Sequence, residues 1–163
     1  MRRTFFSTLA DLADRDKRIF VLTADIGYGV IDVFSDRHPG RFINCGVAEQ
    51  NMIGVATGMA EAGFIPFCYS ITPFVTLRPL EFILRGPVLH DLPVRIVGAG
   101  RGREYGVNGE THWADEAEAI MSQLPMAYYT PMTARDIEWC LRDSMEYVSG
   151  PAFVSLSKGP CEG

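Results

Sequence analysis

Phe5, Leu9 and Leu12 recur at helical spacing with charged residues between them, and a continuous apolar run, residues 19–24, follows and stops at Asp25. The first pattern predicts an amphipathic helix and the second a buried strand. Beyond the loop DIGYG the chain predicts a short helix over 31–36, a turn at His38-Pro39-Gly40 and a brief strand over 41–45 closed by Gly46. A helix over 48–62 and a strand over 64–69 come next, then a helical stretch interrupted by Pro73, Pro79 and Pro87. Each proline removes a backbone donor and disfavours helix at the residue before it. A strand over 94–98 enters the Gly-rich, charged loop GAGRGREYGVNGETHW. A helix over 114–123, a strand over 126–130, a helix over 133–148 with Thr133 as its N-cap, and a strand over 151–157 complete the pattern.

Short apolar strands alternating with helices predict an α/β fold, a mainly parallel sheet with helices on both faces, in one domain spanning 1–163. Ligands of such sheets bind beyond the carboxyl ends of the strands. Asp25 with Ile26 and Gly27, residues 46–50, 70–74 and 101–112, and Lys158 all fall there. The loop after Gly98 exceeds the ~12–15 residues that structureless connections usually reach without a function. Its opening, GAGRGR, starts like the dinucleotide fingerprint G-x-G-x-x-G but fails at Arg103, and no helix follows directly. Nicotinamide binding is therefore not expected.

Composition narrows the function classes. With 47% hydrophobic and 21% charged residues, this is the profile of a globular domain large enough to bury a core without disulfides. Fifteen basic residues against 20 acidic ones give a formal charge of -5, and the basic residues are scattered, which argues against a nucleic-acid partner. The four cysteines lie far apart with no C-x-x-C pair, a pattern of buried free thiols in a reducing compartment and not of a metal site or a disulfide framework. Asp11, Asp14 and Asp16 interrupt the amino-terminal stretch before any long apolar run, so it reads as a helix and not as a signal peptide. No apolar run approaches the ~18 residues of a membrane span. A cytoplasmic protein without a membrane partner is expected.

The segment GVAEQNMIGVATGMAEAG, residues 46–63, carries the strongest signal. Glu49 falls in the first turn of its helix, and no charge appears again before Glu61. Small and apolar residues round the whole girth predict a buried helix, and the Gly54/Gly58 spacing admits another backbone, which points to a partner chain. By itself Glu49 is equally a carboxylate favoured by the positive end of a helix.

That segment is similar to the glutamate motif of the pyrimidine-binding domain of transketolase-like, thiamine-diphosphate-dependent enzymes. TADIG, GFIPF, GVNGETH, QLPMAYYTP and GPAFVSLSKGP follow the family's order at about its spacing, over almost the whole chain. The resemblance implies that Glu49 hydrogen-bonds the aminopyrimidine ring nitrogen distant from the amino group, a task suited to a carboxyl that shares its proton. It implies that Phe74, otherwise a core residue, stacks on that ring. Ile71 and Leu77 flank Phe74 where relatives often carry aromatics, so fewer stacking contacts are expected, with Ile71 lining the cofactor site. Asp25 matches a polar residue that faces the site, and is otherwise a turn former ahead of Gly27. Tyr28 lies beside it.

By the same resemblance His112 lines a substrate channel, where imidazole hydrogen-bonds a hydroxyl or exchanges a proton; the alternative is a solvated loop histidine. Asn108 stands where the family carries an aspartate, and Gly100 or a neighbour where it carries a histidine, so an ordinary pentose-phosphate specificity is not expected. Arg101, Arg103 and Lys158 are candidates for a basic rim that receives a carboxylate, phosphate or sulfonate. Arg101 and Arg103 alternatively pair with Glu104 and Glu110 on a solvated loop. His38 and His90, in turn-like sequence, receive no role.

The resemblance covers the middle of three family domains, and the family's metal and diphosphate signature, G-D-G followed by N-N, is absent. It implies half of an active site. A larger diphosphate-binding subunit would supply the ligands of the diphosphate and of Mg2+, none on this chain, in a heterotetramer of two pairs. The implied reaction is transfer of a two-carbon ketol unit from a ketose-like donor to an aldehyde acceptor, on small carbonyl substrates that include anionic ones. The alternatives are a 2-oxo acid decarboxylase or acyloin synthase of the same cofactor class, and a non-catalytic assembly subunit.

Overall fold

The apolar runs form strands that lie side by side, and the amphipathic segments cover them. The structure, a computed structural model, describes residues 1–161. In chain order it contains α1 (Arg2–Arg15), β1 (Ile19–Thr23), α2 (Asp32–Ser35), β2 (Phe42–Asn44), α3 (Glu49–Glu61), β3 (Ile65–Ile71), α4 (Thr72–Thr76), α5 (Leu80–Ile83), β4 (Arg95–Ala99), α6 (Asp115–Met121), β5 (Ala127–Tyr129), α7 (Ala134–Glu146) and β6 (Ala152–Leu156). The strands form one six-stranded sheet in the order β2-β1-β3-β4-β6-β5. Every pairing is parallel, for example Thr23 opposite both Asn44 and Tyr69. The expected α/β architecture is present, with the sheet wholly parallel.

Alternation along the strands divides the core into two layers. Ile19 and Val21 of β1 pack with Phe5, Phe6 and Leu9 of α1 and Ile137 and Leu141 of α7. Leu22 of the same strand points the other way, into a layer with Met52, Ile53 and Ala56 of α3 and Met121 of α6. The N-cap expected at Thr133 forms a full capping box, in which its side chain accepts from the Asp136 N–H and the Asp136 carboxylate accepts from the Thr133 N–H. Arg95, at the start of β4, is a buried cation, 1% exposed. Its guanidinium donates to the carbonyls of Ser144, Val148 and Gly150, at the end of α7 and in the loop behind it.

Several expectations need correction. α3 is not buried round its girth within this chain: Met52, Ile53, Ala56 and Ala60 face the core, while Gln50, Asn51, Gly54, Val55 and Gly58 are exposed. A helix packed on one sheet buries only a stripe, so the missing charge on the far side has a separate cause. β3 extends to Ile71 and passes directly into α4, because Pro73 fits the first turn of a helix, where no N–H is needed. The proline-broken stretch resolves into α4, α5 and a single π-type turn over Leu84–Val88 that contains Pro87. The long loop holds two short 3-10 turns, Gly106–Asn108 and Glu110–His112. All four cysteines are free, but Cys45 and Cys161 are only half-buried. Among the described residues no helix is long and apolar enough to cross a membrane.

Candidate functional site

A wholly parallel sheet gathers the carboxyl ends of its strands at one edge. The chain leaves β1 for β2 on one side and returns to β3 on the other, so the crevice between the ends of β1 and β3 is the switch point where such folds bind ligands. Glu49 opens α3 just past β2 and is 5% exposed. Its Oε1 accepts a hydrogen bond of 2.9 Å from Nη1 of Arg78, in the turn after α4. The Arg78 guanidinium sits over the Phe74 ring, its Cζ 3.7 Å from the ring centroid. The His112 ring meets Phe74 edge to face, centroids 4.8 Å apart. Tyr105 lies 6.2 Å from His112, and the Lys158 ammonium sits 4.6 Å above the Tyr105 ring. Four segments remote in sequence thus present Glu49, Arg78, Phe74, His112, Tyr105 and Lys158 as one continuous series.

Local structure fixes this series. Ile71, 6% exposed, ends β3, and the next residue, Thr72, donates from Oγ1 to the Gly100 carbonyl at 2.6 Å, binding α4 to the exit of β4. The close approach requires Gly98, since a Cβ there would stand 2.6 Å from Thr72 Oγ1. A cleft of about 510 Å³ opens against Pro73, Leu77, Thr111 and Trp113, with Glu110 and Arg103 on its walls.

Asp25 occupies a second, separate corner. It takes a left-handed conformation, φ 54°, which Asp tolerates better than most residues. Its carboxylate accepts from Asn44 Nδ2 at 2.9 Å and from the Tyr28 hydroxyl at 2.8 Å, while Asn44 Oδ1 accepts from the Asp25 and Gly46 N–H groups. The Asn44 bond and then the Tyr28 bond hold the Asp25 carboxyl below the usual range. Asp25 is thus both a turn residue and the centre of a polar network.

The basic candidates diverge. Arg101 turns inward: Nε donates to Ser155 Oγ at 3.2 Å, and Nη2 to the Pro131 carbonyl at 2.8 Å and to that of Ser155. Arg103 is exposed, pairs with Asp115 at 3.2 Å and stacks on Trp113. Neither guanidinium pairs with Glu104 or Glu110. Asn108 is exposed, and its N–H closes a turn on the Tyr105 carbonyl. Of the four, only Lys158 reaches the Phe74–His112 series.

Glu104 is the latch behind that placement. Its carboxylate accepts from the Lys158 N–H at 2.6 Å, the Ser157 hydroxyl at 2.6 Å and the Arg101 N–H at 3.0 Å. Burial pushes this carboxyl up, but the Lys158, Ser157 and Arg101 bonds outweigh it and leave it below the ordinary value. A carboxyl depressed in the folded state stabilises the fold above its unfolded value of about 4.3, and that contribution disappears as the pH falls through the folded value. Acidification through that lowered value should therefore release the loop from β6. The Arg101 and Lys158 amide resonances should titrate with the Glu104 carboxyl carbon, and Glu104→Gln should remove the shared transition. Amides that do not follow Glu104 would disprove the latch.

Arg78, Asn44 and Tyr105 were not apparent as site residues in the sequence. Arg78 lies four residues beyond Phe74, which places both on one face if the helical turn continues through the prolines. Asn44 and Tyr105 enter only through strand pairing and loop folding, for which no local signal exists. Among the described residues no three His, Cys, Asp or Glu side chains converge as a metal site.

The family model described as "Transketolase, pyrimidine binding domain" matches residues 1–162. The 6-deoxy-6-sulfo-D-fructose transketolase subunit SqwH of Clostridium sp. (strain MSTE9) is 35% identical over 162 residues, 98% of this chain and 50% of that protein. One of the apulose-4-phosphate transketolase subunits of Phocaeicola vulgatus is 30% identical over 159 residues, 96% of this chain and 51% of that protein. Among solved structures, a split gene transketolase described as an inactive beta4 tetramer superposes with a TM-score of 0.86 at 29% identity, covering 99% of this chain and 52% of the other. The chain thus spans about half the length of the curated relatives it matches.

Proposed function

This chain belongs to the transketolase pyrimidine-binding domain family, and we propose that it is the pyrimidine-binding subunit of a split transketolase. The reaction is transfer of a two-carbon ketol unit from a ketose-like donor to an aldehyde acceptor. The observation that carries this reading is the buried Glu49 carboxyl, joined through Arg78 to the exposed face of Phe74 with His112 alongside.

The Glu49–Phe74 pair fits the cofactor that the family implies. A planar, hydrogen-bonding group already rests on Phe74 with one edge atom 2.9 Å from Glu49, so a flat aminopyrimidine is compatible in shape and in bonding. When bound, thiamine diphosphate supplies the ring carbon that adds to the donor carbonyl. Glu49 would hold the pyrimidine nitrogen through a shared proton, a role open to a carboxyl, which both donates and accepts. Phe74 orients the ring by stacking, Ile71 shields it from water at the end of β3, and Asp25 with Tyr28 and Asn44 closes the β1 corner. His112 hydrogen-bonds substrate hydroxyls and moves protons near neutral pH. Asn108, exposed in the same loop as His112, is assigned to substrate hydroxyls, and the cleft of about 510 Å³ is of a size that suits small molecules.

Lys158 is the basic group we assign to an anionic substrate, with Arg103 second, since its guanidinium is already engaged by Asp115. Both named relatives act on sugars with an acid group, sulfo in one and phosphate in the other. Arg101 contributes by holding the loop, its donors being spent on Ser155 and Pro131. A larger subunit supplies the diphosphate and Mg2+ ligands, and two such pairs assemble. The charge-free outer face of α3, where Gly54, Val55 and Gly58 are exposed beside Phe82, supports such an interface.

Calorimetry with thiamine diphosphate and Mg2+ tests this reading, on the chain alone and after mixing with a subunit that carries the G-D-G and N-N signature. Tight binding is expected only in the mixture. Tight binding to the monomeric chain would refute the split site, and a stable complex without cofactor binding would establish an assembly role instead.

A further inference from the structure

Resting on that reading, we infer that Arg78 is an internal stand-in for the aminopyrimidine, a plug that fills the ring site in the free subunit and swings out when the cofactor enters. Two contacts define the site, stacking on Phe74 and a hydrogen bond to Glu49, and Arg78 makes both at once. The opposing demands cannot coexist. A flat group laid over the Phe74 face that Arg78 covers must take the place of the guanidinium.

The chemistry of the mimic is close. A guanidinium is planar and delocalised, stacks on aromatic faces, and presents N–H donors along its edge. It has five donors and no acceptor, so in this pair Glu49 only accepts. The pair also solves a problem peculiar to half a site. Glu49 is 5% exposed, and a buried carboxylate without a partner is costly, so the free subunit needs a cation there until the cofactor arrives. Displacement is feasible because Arg78 lies in the turn between α4 and α5 with its side chain 45% exposed, whereas Phe74 and Glu49 are fixed on helices. The guanidinium can move to water by side-chain rotation alone.

The consequence is competition: Arg78 weakens pyrimidine binding to the isolated chain. The test titrates 4-amino-5-hydroxymethyl-2-methylpyrimidine, the ring without its diphosphate arm, into the full chain by NMR. Wild type is compared with Arg78→Met, Arg78→Lys and Glu49→Ala, each first checked for a native spectrum. Arg78→Met should bind about tenfold more tightly, a difference of about 1.4 kcal/mol. Arg78→Lys, which keeps the charge but not the flat fork, should fall between. In wild type the Arg78 Nε resonance should move to its solvent-exposed position as the Phe74 ring resonances shift. Equal or weaker binding by Arg78→Met, or an Arg78 resonance that stays in place while the ring site fills, would overturn the plug and leave the proposed function standing. Absence of binding in all four proteins, or binding indifferent to Glu49→Ala, would remove the pyrimidine site itself and the plug with it.

Discussion

Glu49→Gln is expected to lower kcat of the reconstituted complex by about 10²–10⁴-fold, the range a positioned proton donor or acceptor contributes. In activation free energy this is about 3–5 kcal/mol. Glutamine is the informative replacement because the amide keeps nearly the same shape. It can still accept from Arg78 and donate to a ring nitrogen, so assembly and cofactor affinity should change little. What it cannot do is give up a proton and take it back. Glu49→Ala is a harsher control, since it leaves a void at the start of α3 and frees an arginine that is half in solvent. The measurement is turnover at saturating cofactor, with complex formation checked by size-exclusion chromatography. Unchanged turnover by Glu49→Gln in an intact complex would refute the catalytic assignment and favour the assembly subunit.

The fold was legible because its strands are short apolar runs with conspicuous ends: Asp25 after β1, Gly46 after β2, Gly98 near the end of β4 before its loop. Thr133 marked the start of α7 as an N-cap that sequence displays directly, and the structure adds Asp136 as its capping-box partner. The site was legible in part for another reason. Glu49, Phe74 and His112 sit in motifs matched to a family, and the parallel sheet brings their segments to one edge. Arg78 was not legible, although it is four residues from Phe74, because Pro73 and Pro79 make helical continuity there uncertain. Arg101 misled in the opposite direction. Flanked by glycines in a polar loop it resembles a solvated cation, yet Pro131 and Ser155, 30 and 54 residues away, take its donors. The absence of charge on α3 indicates only that its outer face avoids charge; whether a sheet or another chain covers that face is a tertiary fact.

The largest effect on stability is expected at Arg95. It is 1% exposed in the first position of β4, and it donates to the carbonyls of Ser144, Val148 and Gly150, the Val148 bond being 2.8 Å. The last carbonyls of a helix have no partner within it, and here a buried cation supplies one while favourably opposing the negative end of the helix. Burial pulls the guanidinium down to about 10, so it remains charged at neutral pH. Arg95→Met keeps most of the apolar stem and removes the donors. Each buried carbonyl left without a partner costs about 1–3 kcal/mol, offset in part by no longer desolvating a charge, for a net loss of about 3 kcal/mol. Against a typical total of about 5–15 kcal/mol that is a large share. Urea denaturation should show a lower midpoint, and hydrogen exchange should accelerate first over 144–151. Arg95→Lys should recover only part of the loss, because an ammonium is a point charge that cannot fork to three carbonyls. A midpoint equal to wild type in Arg95→Met would show that the carbonyls find water and that Arg95 is dispensable. Otherwise Arg95 anchors the entry of β6, the strand whose exit carries Ser157 and Lys158 to the Glu104 latch, so a residue remote from the site sets the platform on which its basic group stands.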